Sequence, residues 1–437
     1  MKKIKVCPGV NLTAVYTDKS KFKTETLTAA YVIPLKEETA ASASLLPSVL
    51  RRGTAKYPDM LSLMKKLDYL YAASMSPLGG KVGESQTLGF RTEFLREDLV
   101  PQGTDLFGET VSLMSELLYS PALSDGAFVP EYVESEKKNL ADSVKAIVNN
   151  KNAYACRRMT ELMCAGENYS VCELGTEKTI SEITAQSLFR FWKDVTETAP
   201  LEVFYVGSLD AEAVAEKLKA AIPERSSGGF SLPVCETKVI KTVKSGKEYT
   251  EKMPVNQGKI SMGFRTGGSA ADGNAPVYIL MNAVFGGGVT SKLFLNVREK
   301  MSLCYYCSSS FDADKGVIAV NSGINVGNCE KTKTEILRQL DLMKSGEITD
   351  SEITDAKKAL ANSYMEVYDD PDSLVAWYKR FAVRGAAPVE PREYMEAVNA
   401  VTKEEVIEAA RTVTLDTFYF LEGTEKASDN DGEEDEA

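Results

Sequence analysis

The sequence predicts an α+β fold built twice from one pattern, and three observations carry that prediction. Leu201-Glu202-Val203-Phe204-Tyr205-Val206-Gly207 reads as a strand ended by glycine, and Leu415-Asp416-Thr417-Phe418-Tyr419-Phe420-Leu421 repeats it near the C-terminus. Both runs follow a helix-like stretch opened by Thr after an apolar residue, at Ile183-Thr184 and at Val401-Thr402. In each half, a glycine-bearing turn also leads through a helix to a Tyr-containing strand. Gly53 to Tyr71 spans eighteen positions, and so does Gly288 to Tyr306. Matches in the same order in both halves mark an internal duplication.

The elements follow from local composition. Ala30-Tyr31-Val32-Ile33 and Thr87-Leu88-Gly89-Phe90 are strand candidates of the first half, and Ile260-Ser261-Met262-Gly263-Phe264 and Gly316-Val317-Ile318-Ala319-Val320 of the second. Dense Ala, Lys, Glu and Leu predict long helices over 131–147 and 350–368. Pro223-Glu224-Arg225-Ser226-Ser227-Gly228-Gly229 breaks the periodicity with turn and linker residues. The expected organisation is a domain over 1–222, a linker over 223–236, a second domain over 237–424 and a disordered acidic tail over 425–437. Six acidic residues stand in the last nine positions, which marks a solvated appendage.

Composition excludes several functions. The net charge of −12 has the wrong sign for a nucleic-acid backbone or an anionic membrane surface. No window approaches the apolar length of a membrane span, and no apolar signal core follows Met1-Lys2-Lys3-Ile4-Lys5. Eight cysteines in 437 residues are too sparse for a disulfide scaffold, so a reducing cytoplasm is the expected location. The most informative count is zero histidines. It removes Ser-His-Asp and Cys-His catalysis, His-ligated zinc and any imidazole acid or base. Cys304-x-x-Cys307 has the spacing of a redox or zinc half-site, but in a strand-like run alternate residues point oppositely and no second pair accompanies it. Both are therefore expected to be core or strand cysteines.

One ordered run resembles the insulinase and pitrilysin type of metallopeptidase, the group that includes the mitochondrial processing peptidases. It comprises Phe285-Gly286-Gly287-Gly288, Ser291-Lys292-Leu293-Phe294, Val297-Arg298-Glu299-Lys300 and Leu303-Cys304-Tyr305. The resemblance implies paired homologous domains, each a mostly antiparallel sheet packed with helices. It also implies a zinc motif, His-x-x-Glu-His, just before Gly53-Thr54. Here that motif falls on Ser44-Leu45-Leu46-Pro47-Ser48, so Ser44 and Ser48 replace the histidines and Pro47 the general-base Glu. The third ligand position, seven residues beyond Glu136, falls on Ser143. Serine hydroxyls do not substitute for imidazole or carboxylate on zinc, and proline accepts no proton. No metal or other cofactor is expected in this chain.

What the resemblance retains is the opposite part of such an active site. It implies that Arg298 holds a substrate carbonyl and that Tyr305 donates to the oxyanion of a tetrahedral intermediate. It also sets Gly286, Gly287 and Gly288 in a turn beside the substrate channel. Leu293, Phe294, Val297 and Met301 share one expected helical stripe, with Arg298 at its flank. The plain alternative makes Arg298 a surface ion-pair partner and Tyr305 a half-buried strand residue. The family has two-chain forms, which implies a heterodimer: a zinc-bearing homologue supplies the metal, and a peptide or unstructured segment is the substrate. The chain is also similar to the metal-free member of a bacterial pair linked to aminopentanol modification of elongation factor P. A structural, assembly or peptide-binding subunit without proteolytic role is the competing expectation.

Overall fold

The computed structural model describes residues 1–225 and 230–424; residues 226–229 of the expected linker and the acidic tail over 425–437 lie outside the described residues. Two compact units form, neither continuous in sequence. The first comprises Met1–Lys145, Val171–Thr237 and Glu366–Val389, and the second Ala146–Ser170, Lys238–Met365 and the described part of Glu390–Ala437.

In the first unit the strands are β1 (Lys2–Cys7), β2 (Val10–Tyr16), β3 (Thr24–Pro34), β4 (Ser74–Val82), β5 (Ser85–Leu95), a small hairpin of β6 (Leu123–Ser124) and β7 (Ala127–Phe128), and β8 (Leu201–Gly207). The main sheet runs β1-β2-β8-β3-β5-β4, and its β2–β8 pair is parallel while its other pairs are antiparallel. Every residue of β8 is buried, as its continuous apolar pattern requires of a central strand covered on both faces. Leu12, Leu27, Val203 and Tyr205 join Leu45, Leu46 and Val49 of helix Glu37–Leu50 and Leu113 and Leu117 of helix Leu106–Tyr119 in one core. Helix Pro371–Val383, drawn from late in the sequence, packs on β8 and β3.

The second unit contains β9 (Lys247–Met253), β10 (Gly258–Arg265), β11 (Cys304–Asp312), β12 (Val317–Ile324) and β13 (Thr414–Gly423), ordered β11-β12-β10-β13-β9. Its β13–β9 pair is parallel and the rest antiparallel. Taken strand by strand, β9-β13-β10-β12-β11 repeats β2-β8-β3-β5-β4 in order and direction. The duplication is thus visible in topology, with β1 as an addition to the first copy. Thr184 and Thr402 cap helices Ala185–Thr198 and Lys403–Thr412, each through a capping box, just before the matching strands β8 and β13. Helix Lys151–Met163 lies on β10 and β13, so each unit carries one helix from the other half of the sequence. Gly263 makes that approach possible: a Cβ there would lie 2.4 Å from the Sδ atoms of Met159 and Met163.

A buried ionic cluster ties 146–170 into the second unit. Arg265, 1% exposed, donates to Glu167 at 2.7 Å and to Asp416 at 2.9 Å, and Lys315 reaches Glu167 at 2.8 Å. Burial raises the Glu167 pKa, but hydrogen bonds from Arg265 and Lys315 outweigh it and hold the carboxyl below its ordinary range.

Glu202 on β8 is the opposite case. Only Asn11 donates to it, at 2.6 Å, and its Oε2 has no partner. Burial pushes its pKa up to about 6, against the pull of Asn11 and Lys3. The folded state therefore favours the protonated carboxyl. That preference is fully present below the ordinary value of 4.5 and is lost as pH rises through about 6. Glu202→Gln should remove the effect and stabilise the protein by about 2 kcal/mol above neutrality. Urea unfolding across the pH range from about 5 to 8 checks this, and an unchanged pH slope would contradict it.

Candidate functional site

Helix Glu37–Leu50 sets Ser44, Pro47 and Ser48 on one face, a turn apart. The Ser44 hydroxyl donates to the Glu173 carbonyl at 2.6 Å and accepts from Gln86 at 3.4 Å. Pro47 is buried in the helix interior, where it has no N–H to give the Ala43 carbonyl. Ser143, exposed on helix Pro130–Ala146, donates back to the Asn139 carbonyl at 2.9 Å. Glu136 on the same helix is spent on Arg52, at 2.9 Å. Two hydroxyls and a proline ring do not fit zinc. Among the described residues, no group of three or more His, Cys, Asp or Glu is placed to hold a metal ion.

The second unit gathers different chemistry. Leu293–Lys300 is wound as a π-helix, a form that favours functional positions, and buried Leu293 and Val297 anchor it. Its wider winding turns Met301 out to solvent, so the apolar stripe expected through Met301 stops at Val297. Ser302 then reverses the chain with φ 48° into β11. The β11 register pairs Cys304 with Ile324 and Tyr306 with Gly323, which leaves Tyr305 as the extra residue of a β-bulge. Bulges re-aim a side chain. Tyr305 is 53% exposed, and its hydroxyl donates to Asn325 Oδ1 at 3.1 Å.

Arg298 and Tyr305 meet here. Arg298 Nε donates to the Tyr305 carbonyl at 2.8 Å, and the guanidinium lies over the Phe294 ring, 4.7 Å from its centroid. Its Nη1 sits 3.3 Å from Glu299, the kind of contact any exposed arginine makes. The bond to the bulge carbonyl fixes the side chain, while the rest of the planar fork remains as donors. Asn325 had no sequence signal as a site residue, and Phe294 stood out only within the run that carries the resemblance and as part of the helical stripe. The Asn325 contact arises from the β11–β12 pairing, twenty positions from Tyr305.

The three glycines differ. Gly286 ends helix Ala275–Gly286 and is buried; a Cβ there would meet Ser309 Oγ at 2.6 Å and Leu293 Cδ1 at 2.7 Å. Gly287 caps the helix by donating to the Asn282 carbonyl at 3.0 Å. Gly288 is exposed with open space around its Cα, so sterics there do not demand glycine.

The bulge also overturns one expectation. By adding a residue, it brings Cys304 and Cys307 to the same face of β11, because their partners Ile324 and Ser322 are two apart on β12.

The twofold use of one strand order, with Ser44, Pro47 and Ser48 on one helix of the first copy, makes a duplicated α+β scaffold. A family profile described as Peptidase M16 inactive domain matches residues 182–360. A probable inactive metalloprotease, YmfF of Bacillus subtilis strain 168, is 34% identical over 420 residues, covering 95% of this chain and 97% of its own. The chain belongs to the M16 peptidase family, the insulinase and pitrilysin type, as an inactive homologue. Its fold matches that of a conserved protein from Enterococcus faecalis V583 with a TM-score of 0.87 at 26% identity, over 98% of this chain and 99% of that one. A peptidase M16 inactive domain from Pseudomonas fluorescens shares the fold at TM-score 0.77 and 17% identity, over 98% and 99% of the two chains. No helix among the described residues is long and apolar enough to cross a membrane.

Proposed function

We propose that this chain is the metal-free subunit of a heterodimeric M16-type peptidase, lending Arg298 and Tyr305 to a reaction whose zinc is bound by a partner chain. The observation that carries this reading is the hydrogen bond from Arg298 Nε to the Tyr305 carbonyl, which sets two exposed donors side by side on a π-helix and a bulge. In this role Arg298 orients a substrate carbonyl with its terminal N–H groups, exchanging the exposed Glu299 contact for it. Tyr305 exchanges its neutral Asn325 acceptor for a developing oxyanion, since bonds to charged acceptors are the stronger ones. Gly286, Gly287 and Gly288 border the substrate path, and exposed Val289, Leu295 and Met301 offer apolar surface around it. Ser44, Pro47, Ser48 and Ser143 are the vestige of the lost metal site. A reducing, cytoplasmic location belongs to the same proposal, supported by eight cysteines that are all free thiols. The resemblance to the pair linked to elongation factor P names one protein to assay beside generic peptides.

Mixing the purified chain with a zinc-bearing M16 homologue from the same genome tests the proposal. The chain alone with added Zn²⁺ should give no peptide turnover, and the mixture should co-elute and turn over peptide faster than the zinc chain alone. A zinc chain whose rate is indifferent to this subunit would sink it. A second reading, capture of extended peptides without cleavage, draws on one observation: β11 is an edge strand of its sheet, the position at which strand addition takes place. Such binding would need no partner.

A further inference from the structure

Cys304 and Cys307 lie on one face of β11, next to the Arg298–Tyr305 pair. The register makes them same-face neighbours, hydrogen bonding between the two thiols is the first cause of each one's shift in acidity, and the Ser322 hydroxyl opposite Cys307 donates to the Tyr306 carbonyl at 2.9 Å. Cys307 is 3% exposed and Cys304 is partly exposed, so the pair has an outer and an inner member. The bond from Cys307 lowers the Cys304 pKa; burial opposes it, and the Arg298 charge adds to the lowering. The same hydrogen bond, together with burial, drives the Cys307 pKa upward. The outer thiol is thus the more acidic of the two, with the inner thiol as its neighbour on the same strand face. This is the arrangement of an oxidisable cysteine beside a resolving one.

We propose that Cys304 and Cys307 form a hydroperoxide-sensitive dithiol that closes to a reversible disulfide and in doing so reshapes the Arg298–Tyr305 pair. The consequence for peptide cleavage rests on the function proposed above; the oxidation chemistry does not. The Cys304 thiolate attacks one peroxide oxygen and the O–O bond breaks. Cys304 becomes a sulfenic acid, and the other oxygen takes a proton and leaves as water, or as an alcohol from an organic peroxide. The Cys307 sulfur then attacks the Cys304 sulfur. The S–O bond breaks, and that oxygen leaves as water with the Cys307 proton. Two thiols have lost two electrons, and one peroxide has gained them. A dithiol reductant reverses the bridge by exchange.

Geometry links the bridge to the site. Neighbouring same-face positions of a strand are about 6.7 Å apart, near the upper end of the roughly 4.4–6.8 Å that a disulfide spans between Cα atoms. Closure pulls the two cysteines together and tightens the bulge between them. Tyr305 is the bulged residue, and its carbonyl is the acceptor that holds Arg298.

The test needs only the isolated full chain. It is treated with hydrogen peroxide at neutral pH, alkylated with iodoacetamide, digested with trypsin and weighed. Both cysteines fall between Lys300 and Lys315 in one tryptic peptide, 301–315. Most of that peptide should change from the doubly alkylated form to an unalkylated form two hydrogens lighter than the dithiol, and revert with dithiothreitol. The Cys307→Ser chain, treated alike, should instead hold a sulfenic acid at Cys304 that dimedone traps. Amide exchange across 302–306 should change severalfold on bridging. Continued alkylation of both cysteines would overturn the proposal. So would pairing of either one with Cys156, on helix Lys151–Met163, or absence of the dimedone adduct. Unaltered exchange across the bulge would overturn the reshaping. No partner or activity enters these readouts, so they fail independently of the peptidase proposal.

Discussion

Glu167→Ala should destabilise the second unit by about 3–5 kcal/mol, the cost of breaking a buried ion pair from one side. Glu167 is the shared acceptor of Arg265 and Lys315, whose side chains are 1% and 0% exposed. Without it, Arg265 keeps Asp416 and the Met163 carbonyl and Lys315 keeps the Lys238 carbonyl, but the carboxylate that the two cations share is gone. The loss should appear in urea unfolding followed by far-UV circular dichroism. Hydrogen exchange should place it in 151–170 and 258–265, because the cluster pins that segment to β10. A loss below about 1 kcal/mol would mean that water reaches the cluster, against the burial described above. Acid should mimic the substitution. Because the folded pKa of Glu167 is depressed, its contribution is complete above the ordinary value of 4.5 and disappears as pH falls through the lower folded value. Glu202 has the opposite sign, so mild acidification favours the first unit before stronger acid undoes the second.

That cluster illustrates what local sequence conveys and what it omits. The strands β8 and β13 and their Thr184 and Thr402 caps were legible, because burial on both faces writes a continuous apolar run and a cap needs only its own helix start. β1 and β9 were not singled out: Lys2–Cys7 and Lys247–Met253 are edge strands heavy in charge, and only pairing identifies them. The exchange of helices Lys151–Met163 and Pro371–Val383 between the sequence halves is a non-local packing fact. Its one trace in sequence is Gly263, and a glycine inside a strand does not say what approaches it. The same limit applied at the candidate site. Arg298 and Tyr305 could be singled out by their spacing within a family pattern. The bulge that brings Cys304 and Cys307 together could not, because a bulge is a property of two strands in register. Periodicity read along β11 alone assigned the cysteines to opposite faces.

In the proposed heterodimer, and on the proposed role of Arg298 as a preorganised donor to the reacting group, Arg298→Ala should lower kcat/KM by about 10²–10³. Arg298 also holds the Tyr305 carbonyl, so this variant alone does not separate contact with substrate from support of the bulge. Arg298→Lys does separate them. Lysine keeps the charge as a compact point, but it lacks the planar fork that reaches the bulge carbonyl and a substrate at once. It should therefore recover only part of the loss. Tyr305→Phe removes a donor and leaves the backbone bond from Arg298 in place. Because its hydroxyl is already satisfied by Asn325 before substrate arrives, the bond to the oxyanion is gained only as charge develops. Its loss should accordingly fall on kcat, by about 10–10² at the lower end for one neutral donor, with KM nearly unchanged. A rise in KM at constant kcat would instead identify Tyr305 as a ground-state binding residue. Rates within twofold of the parent for both variants, with pairing intact, would reduce the two side chains to ordinary surface, Arg298 paired with Glu299 and Tyr305 with Asn325.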